Sequence, residues 1–258
     1  MLIRDLGTME YRAAWREQEL AHDAVVGGGE EQLLLVEHPP VITFGRRPEV
    51  NRNVVASPQQ LASLGVDVVQ SDRGGDVTFH GPGQLVGYPI FDLRGFPAHD
   101  GRRQKLGVIE YVRRLEEVLI RTCADYRIPA KRIAGLTGVW TEQNPEAKIA
   151  ALGVHISRGV TSHGVALNVN TDLSFFNLII PCGIESKPVT SIEKELGKQV
   201  PLEEVANSVS RNFGQVFESQ ILWLESLDAL IKPAVGVPLS TPRELQQIHE
   251  QEDGPTWA

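Results

Sequence analysis

The sequence contains few cysteines and no long apolar segment. Its two cysteines, Cys123 and Cys182, are too few for the disulfide framework of small secreted domains, so both are expected to be thiols. Apolar runs such as Leu33–Val36 are far shorter than the roughly 20 residues that cross a bilayer. Arg4 and Asp5 place charge where a secretory signal has its apolar stretch. These absences predict a cytoplasmic protein with no membrane association.

The chain also lacks a surplus of positive charge and a central linker. Proteins that bind duplex nucleic acid gather positive charge, so a formal net charge of -8 argues against that partner and favours a small-molecule or protein substrate. No long stretch rich in Pro, Gly or Ser divides the chain before Lys232. We therefore expect one domain over residues 1–231 and an accessory C-terminal tail, richer in Pro and acidic residues, over residues 232–258.

Hydrophobic periodicity predicts helices and strands in separate groups. Amphipathic helices are predicted after an N-cap at Thr8, at Leu106–Ala124 and at Pro201–Glu218, and Ser57-Pro58 begins a short one. Strands are predicted at Gln32–His38, Val41–Phe44, Val66–Gln70, Asp76–Phe79, Gln84–Phe91, Gly138–Thr141, Ala147–Ser157 and Ser162–Asn170. The stretch Val66–Phe91 has a hairpin-like pattern. Clustered strands with flanking helices predict an α+β fold with a mixed, mainly antiparallel sheet.

The segment Arg73–Gln84 is unusually rich in glycine. Its four glycines let backbone amides approach a ligand closely, although a pair of tight hairpin turns would explain the same composition. The spacing of a phosphate-binding loop is absent. His80, next to the last glycines, could act as an acid, as a donor to an oxyanion or as a docking residue, although a lone histidine is more often structural.

Cys182 lies between Pro181 and Gly183, in a predicted turn where a thiol can be reached. Cys123 falls among apolar positions of a predicted helix and is interpreted as a core residue. A cysteine nucleophile needs a group that holds it as thiolate, and Lys148, at the start of an apolar strand, is the candidate. A solvated strand-edge lysine is the commoner explanation for such a residue.

Three separated blocks resemble the lipoyl(octanoyl) transferase family along about Leu33–Leu196: Arg73–Gln84, Lys148–Gly153, and His163–Asn170 followed by Pro181-Cys182-Gly183. The resemblance implies a fold similar to the biotin and lipoate protein ligases. It assigns Cys182 as nucleophile and Lys148 as its partner. The substrate-binding residues that it implies are Arg73, Gly74, Gly75, Asp76, Val77, Thr78, Phe79, His80, Ala151, Leu152, Gly153, Gly164, Val165 and Ala166. At Asp76 the family often has Gln, so no specific contact is assigned there.

The resemblance also implies the reaction, which is the first step of protein lipoylation. An octanoyl group would pass from octanoyl-acyl carrier protein to Cys182 and then to a lysine of a lipoyl domain, in 2-oxoacid dehydrogenase E2 subunits or glycine cleavage H protein. No cofactor, nucleotide or metal would be needed, since the donor is carried on phosphopantetheine and a thioester conserves its energy. Backbone amides of Leu152 and Gly153 are candidate oxyanion donors. Gly74, Gly75, Gly164 and Ala166 are small enough to line an acyl slot.

Three alternatives remain open. An ATP-dependent lipoate or biotin protein ligase would have no need of a nucleophilic Cys182. A cysteine hydrolase would pair its cysteine with a histidine such as His155 or His163. A non-catalytic carrier-binding module would leave Cys182 inert to thioesters.

The proposed partners are acidic and this chain is acidic too, so docking would need a local basic face. The basic residues that could form this face are Arg46, Arg47, Arg52, Lys131 and Arg132. A merely solvated surface explains these residues equally well.

Overall fold

The computed structural model describes residues 1–46, 53–97, 103–142, 145–180 and 187–224. Its strands, in chain order, are β1 (Leu2–Thr8), β2 (Gln32–Glu37), β3 (Val41–Phe44), β4 (Asp67–Gln70), β5 (Val77–His80), β6 (Gln84–Ile90), β7 (Phe96–Pro97), β8 (Arg103–Gln104), β9 (Ala130–Ile133), β10 (Leu136–Thr141), β11 (Lys148–Ser157), β12 (Val160–Asn168) and β13 (Leu222–Leu224). The helices are α1 (Tyr11–Val26), α2 (Pro58–Ser63), α3 (Val108–Asp125), α4 (Ile192–Leu196) and α5 (Leu202–Val216), with a 3-10 helix at Leu173–Leu178.

An eight-stranded sheet carries most of the fold, in the order β13-β1-β2-β6-β12-β11-β10-β9. β1 runs parallel to both β13 and β2, whereas every other neighbouring pair of this sheet is antiparallel. A three-stranded sheet, β4-β3-β5, and the short pair β7-β8 complete the strands described. The prediction of an α+β fold with a mixed, mainly antiparallel sheet is confirmed.

The apolar run of β2 is buried on both faces of the large sheet. Leu33 and Leu35 pack on the face covered by α3 and α5, and Leu34 and Val36 pack on the face covered by α1. Successive side chains of a strand point to opposite faces, so a strand between two helical layers has no polar alternation. The same reasoning explains β6, whose residues are all buried.

Two predicted features are wrong. Thr8 does not cap α1: it ends β1, where it pairs with Glu37 of β2, and Glu10 occupies the N-cap position without a side-chain cap. The stretch Val66–Phe91 does not form a hairpin, because β4 and β5 pair with β3 while β6 lies between β2 and β12 in the other sheet. The neighbouring strands decide which sheet such a buried strand joins, and the turn residues next to it in the sequence do not reveal those neighbours.

The predictions for the helices after α1 hold more closely. Ser57 caps α2 by accepting a hydrogen bond from the Gln60 amide, and α3 and α5 lie within two residues of their predicted bounds. Over the ranges described, none of the helices combines the length and the apolar composition of a membrane span. The predicted tail over residues 232–258 lies outside the described residues.

Candidate active site

A cavity of about 390 Å³ is walled by strands of both sheets. This volume falls within the range of small-molecule sites, roughly 300–1,000 Å³. The predicted site residues that line it are Arg73, Gly74, Gly75, Asp76, Thr78, His80, Lys148, Ala151, Leu152, Gly153, Gly164, Val165 and Ala166. The described parts of the three sequence blocks therefore meet around one space, although they are far apart in the chain.

Val77 and Phe79 are the predicted binding residues that the cavity wall does not include. Both side chains are buried in an apolar cluster with Ile42 of β3 and Phe176 of the 3-10 helix. Side chains of β5 alternate between the two faces, so Thr78 and His80 line the cavity while Val77 and Phe79 face the core. Both side chains therefore have core-packing contacts, and a part for Val77 and Phe79 in substrate binding stays a prediction.

Two glycines of the cavity wall are required by the backbone. Gly74 donates its N–H to the Val154 carbonyl at 3.0 Å, and a Cβ at position 74 would lie 2.9 Å from the same oxygen. A Cβ at Gly164 would lie 2.4 Å from the carbonyl oxygen of Gly87 on β6. We expected glycine here to leave room for an acyl chain. Close approach of two backbones is sufficient reason for glycine at both positions.

Arg73 holds the loop Arg73–Asp76, here called the glycine loop, against β3. Its side chain is buried, with Nε donating to Thr43 Oγ1 at 3.1 Å and Nη2 to the Thr43 carbonyl at 2.5 Å. Nη1 donates to the carbonyl of Gly74 at 3.0 Å. These contacts fix the position of the glycine loop, so the guanidinium shapes the cavity wall whether or not it also touches a ligand.

The tautomer of His80 follows from its neighbours. Gln84 Nε2 donates to Asn168 Oδ1 at 2.9 Å and to the Phe79 carbonyl at 3.2 Å, so its Oε1 faces His80 Nδ1 at 2.7 Å and accepts that proton. His80 Nε2 then accepts, at 3.5 Å, from the Thr43 hydroxyl. A histidine arranged in this way does not donate to an oxyanion.

His80 is also held neutral. Burial, followed by the charges of His38 and Arg73, lowers the pKa of His80 to about 3. At neutral pH the imidazole therefore has no extra proton to release, which argues against the role of general acid considered for it. Its contacts instead fit a residue that holds β5 and β6 together.

A buried hydrogen-bond chain leads from His80 to Lys148. Beyond the Gln84–Asn168 contact, Asn168 Nδ2 donates to the Thr190 carbonyl at 2.9 Å, and Thr190 N–H donates to the Lys148 carbonyl at 2.9 Å. Sequence reasoning gave no role to Gln84, Asn168 or Thr190. Asn168 carried a usable signal, because an amide inside an apolar strand must find buried partners.

Lys148 is the first residue of β11, and the residue is 9% exposed. Nζ lies 4.9 Å from the centre of the Trp140 ring, in the geometry of a cation–π contact. On the backbone, Lys148 N–H donates to the Pro188 carbonyl at 2.8 Å. The amine is therefore mostly withdrawn from water, on the wall of the cavity, and next to the chain at Pro188, a few residues after Cys182.

Cys182 lies outside the described residues, but the chain on both sides of it is attached to the cavity wall. On the N-terminal side, Ile180 N–H donates to the Asn53 carbonyl at 2.7 Å. Asn53 Nδ2 in turn donates to Asp76 of the glycine loop at 2.8 Å. On the C-terminal side, the chain from Pro188 pairs with the start of β11.

Cys123 is fully buried in α3. Burial raises the pKa of this thiol to about 12, so the thiolate is not populated near neutral pH. Its interpretation as a core residue is confirmed.

His155 and His163, which a hydrolase could have used, both contact Asp72. His163 Nε2 lies 2.6 Å from one carboxylate oxygen and His155 Nε2 lies 3.7 Å from the other. His163 is a strand residue opposite Val154, six residues after Lys148, which corresponds to roughly 20 Å along β11. His163 therefore lies in the strand predicted over Ser162–Asn170, and neither histidine is paired with Lys148.

The backbone amides of Leu152 and Gly153 point in opposite directions. N–H and C=O groups of a strand residue share one side, and the side alternates along the chain. Because the Val154 carbonyl accepts from Gly74, the amide of Leu152 also points toward the glycine loop. The amide of Gly153 points toward β12, where this residue pairs with Gly164. Of the two candidate oxyanion donors, Leu152 has the suitable direction.

The expected basic face is weaker than the sequence suggests. Lys131 pairs with Glu146 at 2.7 Å, and Arg132 pairs with Glu116 and Glu117 at 3.2 and 2.9 Å. Arg46 is exposed beside His155, whereas Arg47 and Arg52 lie outside the described residues.

Among the residues that the structure describes, no group of three or more His, Cys, Asp or Glu side chains is placed to hold a metal ion.

Comparisons with known proteins agree with this geometry. A family model described as the lipoyl protein ligase A/B catalytic domain matches residues 10–214. An octanoyltransferase of Koribacter versatilis is 55% identical over 251 residues, which is 97% of each chain. An octanoyltransferase of Acidobacterium capsulatum is 56% identical over 213 residues, covering 81% of this chain and 85% of that protein.

Solved structures show the same fold at low identity. A bipartite lipoate protein ligase from Thermoplasma acidophilum has a TM-score of 0.64 and 16% identity, covering 88% of each chain. A lipoate-protein ligase A bound with ATP also has a TM-score of 0.64 and 16% identity, covering 89% of this chain and 92% of that one. The expected likeness to lipoate ligases is thereby confirmed for the fold.

Proposed function

The chain belongs to the family of the lipoyl protein ligase A/B catalytic domain, and on that basis we propose that it transfers octanoyl groups through an acyl-cysteine intermediate at Cys182. It is an octanoyltransferase, an acyltransferase of protein lipoylation, as are relatives 55% and 56% identical over most of its length. The ligase alternative has less support. The lipoate ligases described above are only 16% identical to this chain, so their likeness concerns the fold alone.

In the first half-reaction, Cys182 Sγ attacks the thioester carbon of octanoyl-acyl carrier protein. The thiol proton passes to the Lys148 amine, a tetrahedral oxyanion forms, and the bond from carbon to the pantetheine sulfur breaks. The leaving thiolate takes the proton back from the Lys148 ammonium. One thioester replaces another, so the step needs no nucleotide, metal or other cofactor.

In the second half-reaction, a lysine of the lipoyl domain attacks the acyl-cysteine. Lys148 removes a proton from the incoming ammonium, because only the free amine has a lone pair for the attack. The carbon–sulfur bond to Cys182 breaks, and the second proton of the attacking nitrogen passes to the departing thiolate. The Lys148 ammonium releases its proton to water, and the octanoyl amide leaves with the lipoyl domain. One base therefore serves both halves.

The position of Lys148 is the observation that carries this proposal. Its ammonium or amine lies on the cavity wall, shielded from water and beside the chain that continues from Cys182. The N–H of Leu152 points toward the glycine loop and is the proposed oxyanion donor, a contact that can be worth about 3 kcal/mol of barrier. Both groups belong to β11, so one rigid strand positions them.

The same cavity offers apolar surface for an eight-carbon chain. Val86, Leu136 and Val165 contribute aliphatic wall, and each buried methylene contributes about 0.8 kcal/mol. We assign the acyl chain to this part of the cavity.

Lipoyl domains are the acceptors of this family's reaction in general. We propose octanoyl-acyl carrier protein as donor, and the lipoyl domains of 2-oxoacid dehydrogenase E2 subunits and of glycine cleavage H protein as acceptors. We also propose that the protein is cytoplasmic and that neither nucleic acid nor a membrane is its partner.

Intact-protein mass spectrometry after incubation with octanoyl-acyl carrier protein, without ATP or acceptor, tests the intermediate directly. The wild-type protein should gain one octanoyl group, the Cys182→Ala variant none, and the Cys123→Ala variant one, because Cys123 is buried in the core. Absence of any adduct, together with transfer of free octanoate once ATP is added, would instead favour the ligase.

A further inference from the structure

A buried carboxylate lies behind the strand that carries Trp140. Glu116 of α3 is fully buried, and its Oε2 accepts from Arg113 Nη1 at 2.7 Å and from Arg132 Nε at 3.2 Å. Its other oxygen, Oε1, accepts from the backbone N–H of Gly138 at 3.2 Å. The two arginines account for one oxygen of the carboxylate, and the second is directed at β10.

Gly138 is the point where β10 departs from regular pairing. Its φ of +131° is one that residues with a side chain rarely adopt. The pairing register shifts between Leu136 and Trp140 on the β9 side, and between Val139 and Trp140 on the β11 side. Such an irregularity bends a strand and redirects neighbouring side chains, and it is frequent next to active sites.

The side chain of Lys148 packs directly on this glycine. A Cβ at Gly138 would lie 2.8 Å from Lys148 Cε and 3.4 Å from Nζ, so the lysine occupies the space that any other residue would need. The position of Nζ therefore depends on where the backbone of Gly138 is held. The contact that holds it from behind is the hydrogen bond to Glu116.

We propose that Glu116 is a positioning residue for Lys148, acting through the backbone of Gly138. The proposal rests on the function proposed above, in which Lys148 transfers the protons. Glu116 touches no substrate. Its role is to keep the irregular segment of β10 in the conformation that leaves Lys148 aimed along the cavity wall.

An amide cannot replace this carboxylate. Glutamate offers two acceptor oxygens, one for Gly138 and one for the arginines, whereas glutamine has one acceptor and a donor group. In Glu116→Gln the NH₂ must face either the Gly138 N–H or a guanidinium, and one of the two contacts is lost. Arg113 and Arg132 are partly exposed, so they can turn to water and the variant can fold.

The test is single-turnover acylation of Cys182 by octanoyl-acyl carrier protein, at several donor concentrations. Glu116→Gln should lower the maximal acylation rate constant roughly 10- to 100-fold, the loss expected when a reacting group is displaced by about 1 Å. The half-saturating donor concentration should change less than about twofold, because the cavity walls that bind the donor are unaltered.

The neighbouring carboxylate supplies a matched control. Glu117 also lies on α3 and also pairs with Arg132, but its carboxylate accepts from Arg121 and Arg132 rather than from Gly138. Glu117→Gln should therefore keep its acylation rate constant within about twofold of wild type. If Glu116→Gln does not fold, Glu116→Asp, which keeps the charge but shortens the reach toward Gly138, gives the same comparison.

A double variant separates this proposal from the proposed function. In a Lys148→Met background, Glu116→Gln should cause no further loss, because residues that act through one another are not additive. Additive losses, or a Glu116→Gln variant as fast as wild type, would overturn the positioning role while leaving Lys148 in place. Undiminished acylation by Lys148→Met would instead refute the function on which the proposal rests.

Discussion

Two regions beside the cavity bury titratable groups in different ways. In the first, here called the histidine cluster, the rings of Tyr11, His38, His80 and Tyr88 contact one another, and each imidazole nitrogen has a hydrogen-bond partner. In the second, the amine of Lys148 faces the Trp140 ring, and the carboxylate behind it contacts the backbone of Gly138. In the first region, the imidazole nitrogens all form hydrogen bonds with other protein groups. In the second, the amine of Lys148 lies at the surface of the cavity.

The difference shows how burial alone fails to identify a catalytic group. Burial lowers the pKa of His38 to about 4 and that of His80 to about 3, so both stay neutral, with their donors and acceptors already used. Such groups stabilise the joined strands and transfer no protons near neutral pH. Lys148 is buried too, but it lies beside the chain that continues from Cys182, and it is the group to which we assign the proton transfers.

The largest expected effect comes from removing the amine. Lys148→Met keeps the length and apolar stem of the side chain but should lower octanoyl transfer about 10³-fold, within the range of a lost general base. Steady-state transfer to a lipoyl domain measures this. Lys187→Met is the control, since Lys187 Nζ lies 5.6 Å from the same Trp140 ring but pairs with Glu146. Equal losses in both variants would contradict the assignment.

The histidine cluster should make the folded protein less stable in acid. In the unfolded chain His38 and His80 titrate near 6.5, above their folded values, so the unfolded state binds more protons in acid. Stability present above pH 6.5 should therefore be lost as the pH falls toward 4, by up to about 2.7 kcal/mol per pH unit for the pair. Guanidinium unfolding at several pH values measures the slope.

A matched variant isolates the contribution of one histidine. His38→Gln removes one titrating group, so its stability should fall less steeply between pH 6 and 4.5, by about 1.4 kcal/mol per unit. An unchanged slope would mean that His38 is not the group responsible. Its stability at pH 7 can be lower for packing reasons without affecting this comparison, because only the slope is tested.

A substitution in the wall of the cavity should change the enzyme's selectivity for the length of the acyl chain. Ala151 lines the cavity and is half-buried, so Ala151→Val adds volume to the cavity in which we place the acyl chain. Each displaced methylene should cost octanoyl transfer about fourfold, with a smaller loss for hexanoyl. Competition between the two donors measures the ratio. Ala130→Val, in β9, is the control, and equal effects on both donors would remove Ala151 from the acyl slot.

The smallest expected effect lies outside both regions, at the exposed cation Arg46. Arg46→Glu should weaken binding of acyl carrier protein about threefold, more at low salt, because surface charge acts mainly on encounter. Lys131→Glu should have less effect, since Glu146 already compensates Lys131. Calorimetric titration at two salt concentrations distinguishes them. Equal affinity in all three proteins would remove the docking role of Arg46.

Much of the fold was predictable from local patterns. The spacing of α3 and α5, the Ser57 cap and the apolar run of β2 are encoded in neighbouring residues. The short edge strand β13 and the polar β1 were not predicted, because a strand of that kind is defined by its partners. The path of β6 into the other sheet has the same cause.

Some residues of the site were likewise predictable from the sequence, and others were not. Sequence blocks identified Lys148 and the glycine loop, and alternation along β5 then separated His80 from Phe79. Glu116 gave no sequence signal, because a glutamate on an amphipathic helix is normally solvated. Its burial depends on the packing of α3 against β10, which only the assembled chain provides.

By itself, the sequence determined the periodic elements, the three separated blocks and the family to which they point, because each is written in consecutive residues. The tertiary structure decided which histidines are neutral, which of two adjacent amides faces the glycine loop, and which carboxylate supports Lys148. These properties depend on contacts between residues distant in the chain. Burial and hydrogen-bond partners exist only after those residues have been brought together.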